Sequence, residues 1–258
     1  MAEKINKIFL ILCLLSALCF SSCGKTKKSV YAPEGSDIKE ATLSDSAQTF
    51  FQYRYPVEGQ LCADIFILDY GHIYVRLFDE DAPGAVENFR KKAEKGAYTG
   101  TLISKAVEDY YVQGGKPLTD DVKEESIWGG GFTNEISSRL APTRGALCMA
   151  NQGRNGTNAQ QFFIVTTSAE TIKKLDEPLN ERYGIGLRQY LEENYGTELD
   201  DKKLGRFLDY GGAPWIYGHN TVFGQVFKGF DVLDKVEEDA AGGKSDIYIK
   251  KITVYKYV

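Results

Sequence analysis

The N-terminal part of the chain carries an unbroken apolar run behind a short positive start. Two lysines precede the run Ile8–Phe20, and two serines lead from it to Cys23. This order of positive charge, apolar run and small residues is typical of a secretory signal peptide. The run is also shorter than the about 20 apolar residues that a membrane-spanning helix needs. The pattern therefore predicts a signal peptide over residues 1–22.

The rest of the chain alternates short apolar runs with turn residues, which predicts a fold that is mainly β. Leu61–Leu68 and Ile73–Phe78 flank a turn sequence and predict a hairpin. Five further strand-like runs follow: Tyr110–Val112, Gly145–Met149, Gln161–Val165, Thr221–Val226 and Ile247–Val254. Short strands at scattered spacing, with only one early helix, favour a closed barrel over alternating βαβ units.

Helical patterns occur in two places. A helix is predicted over residues 81–95, since Pro83 suits its first turn and basic residues crowd its end. The segment Thr167–Ala213 interrupts the strands, and within it residues 186–195 and 200–208 have amphipathic helical spacing. No self-repeat of about 20–50 residues is present in the sequence, which excludes a solenoid or propeller.

The composition is that of an ordinary globular protein with an acidic balance. Hydrophobic residues make up 43% of the 258 residues, charged residues 26%, and the formal net charge is −5. This apolar content is sufficient for a sizeable core, and we expect residues 53–258 to form one domain. An acidic chain whose folded part has no basic cluster argues against a nucleic-acid partner.

The cysteine directly after the small residues adds to the interpretation of the N-terminus. Its setting resembles the lipobox of bacterial lipoproteins, in which the cysteine is acylated and becomes the mature N-terminus. The resemblance implies lipid attachment at Cys23, with the polar residues 23–52 serving as a tether to the membrane. Phe20 departs from the aliphatic residue usual at that place. An ordinary cleaved signal and an uncleaved anchor remain as alternatives.

The remaining cysteines and the histidines limit the chemistry of the chain. Cys62 and Cys148 lie in strand-like runs, where they could pair in an oxidising compartment or serve as small buried hydrophobic residues. His72 and His219 are the only histidines, and neither has the spacing of a metal ligand. No sequence pattern sets a nucleophile beside a base. The sequence indicates neither a metal nor a cofactor.

Six segments then follow one another in a distinctive order. They are Pro83 with Asn88-Phe89, residues 98–101, 110–115 (YYVQGG), 145–151 (GALCMAN), 158–164 (NAQQFFI) and 221–226 (TVFGQV). In this order the set closely resembles the cyclophilin family of peptidyl-prolyl isomerases, over about Leu61–Val258 apart from the insertion at 167–213. The resemblance implies a cyclophilin-like closed eight-stranded antiparallel β-barrel with capping helices and a helical insertion. It also implies a surface groove for an extended Xaa–Pro segment.

The resemblance assigns residues to this groove by position. The proline pocket is implied to consist of Tyr110, Tyr111, Phe163 and Ile216, with Trp215 at its rim. The backbone of the peptide is implied to be held by Gln113, Ala150, Asn151 and Gln161. Asn220 stands where the family has a pocket histidine, and His219 precedes it. Aromatic walls suit a pyrrolidine ring, and amide groups suit an extended backbone.

The main departure from the family concerns the catalytic position. There the family has an arginine, whose fork donates to the prolyl carbonyl and toward the nitrogen lone pair that twisting releases. This sequence has Lys105, which is a point charge without a fixed fork but can still donate one charge-assisted hydrogen bond. We therefore expect Lys105, Gln113 and Asn151 to act as catalytic residues with reduced turnover. Gln152 replaces a small residue and predicts a narrower groove floor.

The predicted function is that of a lipid-anchored peptidyl-prolyl cis-trans isomerase that assists the folding of exported proteins. Its expected partners are proline-containing unfolded or extended polypeptides, and the membrane through the lipid. Because the residues after Cys23 are basic rather than acidic, we expect the outer membrane, facing the periplasm. Two alternatives stay open: a non-catalytic proline-peptide-binding scaffold lipoprotein, and an interaction protein whose insertion contacts the partner. Through Tyr183, Tyr190 and Tyr195 the insertion could form a lid that contacts the peptide or a dimer surface. The sequence leaves the oligomeric state open.

Overall fold

The computed structural model describes residues 50–117, 119 and 122–258. The predicted signal peptide, the lipid attachment at Cys23 and the tether up to residue 49 lie outside these residues, so they stay predictions. Within the described ranges, no helix combines the length and the apolar character that crossing a membrane requires.

Eight strands of the described chain form one curled antiparallel sheet. They are β1 Leu61–Ile67, β2 Gly71–Leu77, β3 Leu102–Val107, β4 Tyr111–Lys116, β5 Ala146–Met149, β6 Phe162–Val165, β7 Val222–Lys228 and β8 Ile249–Lys256. Their order across the sheet is β3-β4-β6-β5-β7-β2-β1-β8. All seven pairings are antiparallel, which confirms the predicted strand number and sense.

The two outer strands of the sheet meet only at one end. A single bridge joins Leu102 to Tyr248, and the Ile103 N–H donates to the carbonyl of Ile247 at 2.9 Å. The exposed Ser104 and Lys105 follow in β3, and among the described residues no further bridge joins β3 to β8. The sheet is therefore a half-barrel, and the predicted full closure is overstated.

Two of the helices pack against the sheet outside the insertion: α1 (Pro83–Glu94) and a C-terminal helix, Phe230–Ala241. The predicted helix over 81–95 is thereby confirmed. The C-terminal helix was missed by the expectation of one early helix, because it follows β7 through Gly229 alone and has no side-chain cap. Gly229 has φ +89°, and a Cβ there would lie 2.2 Å from the carbonyl oxygen of His72, so only glycine fits.

The interior of the half-barrel is an aromatic and aliphatic core. Phe89 of α1 contacts Tyr98 and Phe223 at 5.3 Å and Phe162 at 5.4 Å between ring centroids. All four rings are buried, and each such ring contributes roughly 1.5–3 kcal/mol relative to exposure. This core fixes α1 against the strands that also carry the site.

The insertion folds into four helices. They are α2 Ala169–Lys173, α3 Asp176–Tyr183, α4 Leu187–Tyr195 and α5 Asp201–Tyr210, and the C-terminal helix is accordingly α6. The two helices expected at 186–195 and 200–208 are confirmed as α4 and α5. At the neck of the insertion, the Gly212 N–H donates to the Thr167 carbonyl at 2.9 Å. The two ends of the insertion therefore meet at one point.

A second core joins the insertion to the outer face of the sheet. The fully buried Ile172, Leu191 and Phe207 of the insertion belong to the same cluster as Tyr110 and Trp215. The insertion is thus packed as part of the domain.

The N-terminal strap, which we define as Phe50–Arg54, lies within the fold. Gln52 is fully buried and donates through Nε2 to the carbonyl of Ala141 at 2.8 Å and to Oε1 of Gln225 at 2.7 Å. The ring of Tyr53 stacks on that of Tyr210 in α5, with 4.3 Å between centroids. The strap is therefore fastened to both the sheet and the insertion.

The two cysteines of the domain are buried free thiols. Cys62 lies on β1 and Cys148 on β5, and β7 and β2 separate these strands in the sheet. The strand order thus keeps the thiols apart. For these cysteines the sequence left open a disulfide or a role as small buried hydrophobic residues, and the structure shows the second.

Candidate functional site

A groove of about 580 Å³ opens on the outer face of the sheet, beside the insertion. Nine of the predicted site residues line it: Tyr110, Tyr111, Gln113, Ala150, Asn151, Phe163, Trp215, Ile216 and Asn220. Lys105 and Gln161 are not part of this lining, and they lie next to Gln113 at its border. The fold therefore gathers in one place residues that are up to 115 positions apart in the sequence, from Lys105 to Asn220.

The floor of the groove is a chain of edge-to-face aromatic contacts. Phe163 meets Tyr111 at 5.7 Å, Tyr111 meets Tyr110 at 4.7 Å, and Tyr110 meets Trp215 at 5.3 Å between centroids. Such pairs add about 0.5–1.5 kcal/mol beyond burial and hold the rings in fixed orientations. Burial raises the pKa of Tyr111 to about 12, so its phenol is neutral at physiological pH. The floor is a rigid apolar slot.

A cross-strand row brings Lys105 to this floor. Lys105 of β3 pairs with Gln113 of β4, and Gln113 pairs with Phe163 of β6. Directly opposed residues share one face of a sheet, with Cβ atoms about 4.5–5.5 Å apart. Ser104 is the extra residue of a bulge in β3, which sets this register. Lys105 is exposed, and its ammonium has no hydrogen-bond or ion-pair partner among the described residues.

A relay of side-chain amides leads from Gln113 to a carboxylate. Gln113 Nε2 donates to Gln161 Oε1 at 2.8 Å, and Gln161 Nε2 donates to Glu124 Oε2 at 2.8 Å. An ionised carboxylate only accepts, so Glu124 fixes the orientation of both amides. Burial raises the pKa of Glu124, whereas the bond from Gln161 and the nearby Lys116 and Lys92 act to lower it.

Asn151 contributes to the site in two ways. Its Nδ2 donates to the His219 carbonyl at 2.9 Å and to Asn134 Oδ1 at 3.2 Å, and its Oδ1 accepts from the Gly153 N–H at 3.1 Å. Its side chain therefore ties three segments together. Its backbone N–H and C=O, by contrast, have no hydrogen-bond partner within the described residues. These open groups can pair with an extended peptide.

A family model described as cyclophilin type peptidyl-prolyl cis-trans isomerase/CLD matches residues 63–256. The chain belongs to the cyclophilin family. The predicted family membership is thereby confirmed, and with it the enzyme class, peptidyl-prolyl cis-trans isomerase.

Curated relatives agree with this assignment. This cyclophilin is 33% identical over 188 residues to a protein of Staphylococcus haemolyticus assigned as a peptidyl-prolyl cis-trans isomerase, covering 71% of this chain and 86% of the relative. A Staphylococcus epidermidis protein of the same assignment is 34% identical over 189 residues, covering 71% and 87%. Among solved structures, a Cryptosporidium parvum cyclophilin in the presence of the dipeptide Ala-Pro has 25% identity and a TM-score of 0.54, covering 76% of this chain and 99% of that one.

The two residues at the histidine position of this cyclophilin both line the groove, but each is engaged by the protein. Asn220 donates through Nδ2 to the Met149 carbonyl at 3.1 Å. His219 Nε2 lies 2.9 Å from the carbonyl oxygen of Tyr195 in the insertion, and because a carbonyl only accepts, the imidazole donates. Gln152 is not among the residues that line the groove, and the narrower floor stays a prediction.

Several groove residues of this cyclophilin were not among the predicted ones. Asn134, Ile136 and Arg154 all line the groove. They lie in irregular segments, where no periodicity distinguishes a lining residue from a solvated one. Of the three insertion tyrosines for which a peptide contact or a dimer surface was open, Tyr195 lines the groove. Glu124 likewise gave no sequence signal, because its role rests on one contact with Gln161.

Proposed function

We propose that this cyclophilin isomerises Xaa–Pro bonds in exported polypeptides, with the Lys105 ammonium taking the part of the family's arginine. The observation that carries the proposal is the row from Lys105 through Gln113 to Phe163. It sets a cation that has no partner among the described residues beside an aromatic slot. The Ala-Pro dipeptide with the Cryptosporidium parvum relative supports a proline ligand for the groove.

The chemistry needs no covalent intermediate. The barrier to rotation is about 20 kcal/mol, because the planar amide has partial double-bond character. Catalysis follows if the site binds the twisted amide better than either planar form. Phe163 and Tyr111 grip the pyrrolidine ring, and the backbone of Asn151 and the amide of Gln113 hold the flanking chain. The carbonyl is then free to rotate about the held ring.

Lys105 stabilises the twisted amide with one charge-assisted hydrogen bond. A guanidinium can donate to two atoms at once, whereas an ammonium on a flexible stem presents no fixed pair of donors. The exposed position of Lys105 adds to this freedom, because the side chain must be ordered when the substrate binds. We therefore propose turnover below that of an arginine-bearing site.

The test is an isomerisation assay on the mature chain in detergent, with an Ala-Pro test peptide. Wild type is expected to exceed the spontaneous rate, Lys105→Arg to raise kcat/KM by about tenfold, and Lys105→Gln to lower it by about tenfold, each the equivalent of one charge-assisted bond. Arg154→Gln is the matched control, because Arg154 also lines the groove. A loss with Arg154→Gln that equals the loss with Lys105→Gln would transfer the role to Arg154.

A specific observation favours a second function, that of a non-catalytic proline-peptide-binding scaffold. Lys105 lacks the fork, and the Asn220 amide is held by the Met149 carbonyl rather than directed freely into the groove. Under this alternative, wild type turns over at the spontaneous rate and still binds the peptide, while Lys105→Arg gains activity. A wild-type rate equal to the spontaneous rate, with no binding of the peptide, would contradict both functions.

We further propose that the domain works at the membrane, anchored through Cys23 on the periplasmic side of an outer membrane. The basis is the sequence of residues 1–23. A tethered groove meets passing chains at high effective concentration, so modest affinity suffices for capture. Cys23→Ser is expected to abolish incorporation of labelled fatty acid and to release the protein from the membrane fraction. A membrane-bound Cys23→Ser variant would instead support an uncleaved anchor.

A further inference from the structure

The insertion contributes a side chain directly to the groove. Tyr195 is the last residue of α4, and among the described residues of the insertion it is the one that lines the groove. Helix α4 packs on the short 3₁₀ helix Pro214–Ile216, which supplies Trp215 and Ile216 to the same wall. The insertion and the proline slot therefore share one continuous surface.

The backbone holds Tyr195 in this place. His219 Nε2 donates to its carbonyl at 2.9 Å, a bond that a neutral Nε2–H imidazole and an imidazolium can both make. Gly196 then ends the helix in the left-handed region, at φ +62°, and its N–H donates to the Glu192 carbonyl. The ring has the buried Tyr190 behind it, at 6.2 Å between centroids. Tyr195 is thus a positioned wall residue.

The groove is larger than a proline ring requires. Its volume of about 580 Å³ is that of a pocket for a drug-sized ligand rather than for one five-membered ring. Beside polar residues such as Asn134 and Arg154, its walls carry the apolar side chains of Tyr195, Ile216 and Ile136, and Ile136 is 49% exposed. A large apolar side chain held open to solvent within a groove wall favours contact with an apolar ligand group.

We infer that Tyr195, with Ile216, forms a subsite that binds a large apolar side chain flanking the proline. This rests on the proposed function, because both concern one groove. The insertion then selects among proline sites: those next to leucine or an aromatic residue bind more tightly than those next to alanine. Such sites belong to core segments, which an unfolded exported chain exposes and a folded one buries.

The test measures selectivity with the mature chain in detergent. Two series of proline peptides are used, with alanine, leucine or phenylalanine placed before the proline in one series and after it in the other. Affinity is measured by titration and turnover by the isomerisation assay. We expect wild type to bind the leucine and phenylalanine members of one series about five- to tenfold more tightly than the alanine member. The responding series identifies the flank that the subsite reads.

Three variants separate this role from a structural one. Tyr195→Ala is expected to reduce the preference to less than about twofold, and Tyr195→Phe to keep it, since the ring supplies the apolar surface. Tyr183→Ala is the matched control, because Tyr183 belongs to the same insertion, is 46% exposed and does not line the groove; it should leave the preference intact. Thermal unfolding of each variant identifies any loss of fold.

The outcomes distinguish this inference from the proposed function. Wild type that binds with the expected preference but without turnover would contradict the isomerase proposal and support the subsite. The subsite would be overturned if wild type bound the alanine, leucine and phenylalanine peptides of both series with equal affinity. It would also be overturned if the preference survived Tyr195→Ala, or if Tyr183→Ala removed the preference as fully as Tyr195→Ala does. If Tyr195→Ala does not fold, the same affinities are measured with Tyr195→Leu instead. We then expect a weakened preference for the phenylalanine peptide, and an unchanged preference would overturn the subsite.

Discussion

The two walls of the groove differ in how the fold builds them. The sheet wall, which we define as Gln113, Tyr111 and Phe163 with Lys105 at its border, takes its geometry from the register of β3, β4 and β6. The insertion wall, defined as Tyr195 and His219, takes its geometry from helix packing and one hydrogen bond. A strand register changes only in whole-residue steps, whereas packed helices can slide by small amounts. Under the two proposals, the chemistry belongs to the wall set by strand register and the selectivity to the wall set by helix packing.

The largest effect is expected from emptying the core behind the insertion wall. Phe207→Ala removes a fully buried ring of α5, which costs about 3–5 kcal/mol in the free energy of unfolding. Because this core is continuous with Tyr110 and Trp215, we expect one cooperative transition at lower denaturant concentration, measured by circular dichroism and by tryptophan fluorescence. Two separated transitions would show that the insertion unfolds independently of the sheet wall.

The next effect concerns the sheet wall itself. Phe163→Ala opens the slot where the pyrrolidine ring binds, and we expect kcat/KM to fall by about thirtyfold or more, the size of a hot-spot residue. Phe163→Leu should recover part of this loss, since it refills the volume without the ring. The comparison between the walls predicts an equal loss for every peptide of the two proline series. A loss confined to peptides with large flanking residues would mean that Phe163 also belongs to the selective wall.

A smaller effect is expected from releasing the insertion wall. His219→Ala removes the donor to the Tyr195 carbonyl, which is worth about 1 kcal/mol. We expect the preference for a large flanking residue to fall by about two- to fivefold, while Lys105→Gln leaves that preference unchanged. For both variants the preference is measured as the ratio of kcat/KM for a peptide with a large flanking residue to kcat/KM for the alanine peptide. If His219→Ala lowered kcat/KM for the alanine peptide as much as for the others, His219 would act on all peptides alike, as the sheet wall is expected to do.

The smallest effect is a pH dependence of the amide relay. Burial raises the folded-state pKa of Glu124 above the ordinary 4.5, so protonation is more favourable in the folded protein. As the pH falls through that raised pKa, Glu124 gains a proton, can donate, and no longer fixes the amides of Gln161 and Gln113. We expect kcat/KM to decline about two- to threefold in acid, with a midpoint above 4.5.

Two controls sharpen this prediction. Glu124→Gln should flatten the acid limb of the kcat/KM profile, because a neutral amide at this position does not titrate. Since the folded-state pKa is raised, the contribution of Glu124 to stability is greatest below its unfolded pKa and is lost as the pH rises through the folded value. Glu124→Gln should therefore not reduce stability at neutral pH. A profile unchanged by Glu124→Gln would exclude the relay as its source.

The difference between the walls also explains what the sequence could reveal. Strands with clear apolar runs, such as β1 and β6, were predicted to within a few residues. The ordered motifs assigned Gln113 and Phe163 to one groove, and the fold brings both into its lining. By contrast, β3 carries Ser104 and Lys105 in its middle, and this polar interior hides its strand character. The site residues were therefore found where local pattern and tertiary role coincide.

The features that the sequence did not predict have a common physical cause. Helix α6 begins at Phe230 without a side-chain cap, because the close backbone of His72 allows only glycine at the N-cap position, Gly229. Ile136 reaches the groove from an irregular segment, and Glu124 acts on the site through one amide, that of Gln161. Each depends on contacts between distant parts of the chain. Single-sequence periodicity records none of these contacts.

The N-terminal strap has a mechanical consequence. Any tension that arrives along the chain before residue 50 enters the fold at Phe50 and is met by the buried amide of Gln52, which is bonded to Ala141 and Gln225. The ring of Tyr53 on Tyr210 passes part of that tension to α5. A pull from this direction must shear several bonds at once before it reaches the first residue of β1. The strap is therefore the part of the fold that resists stretching before the force reaches β1.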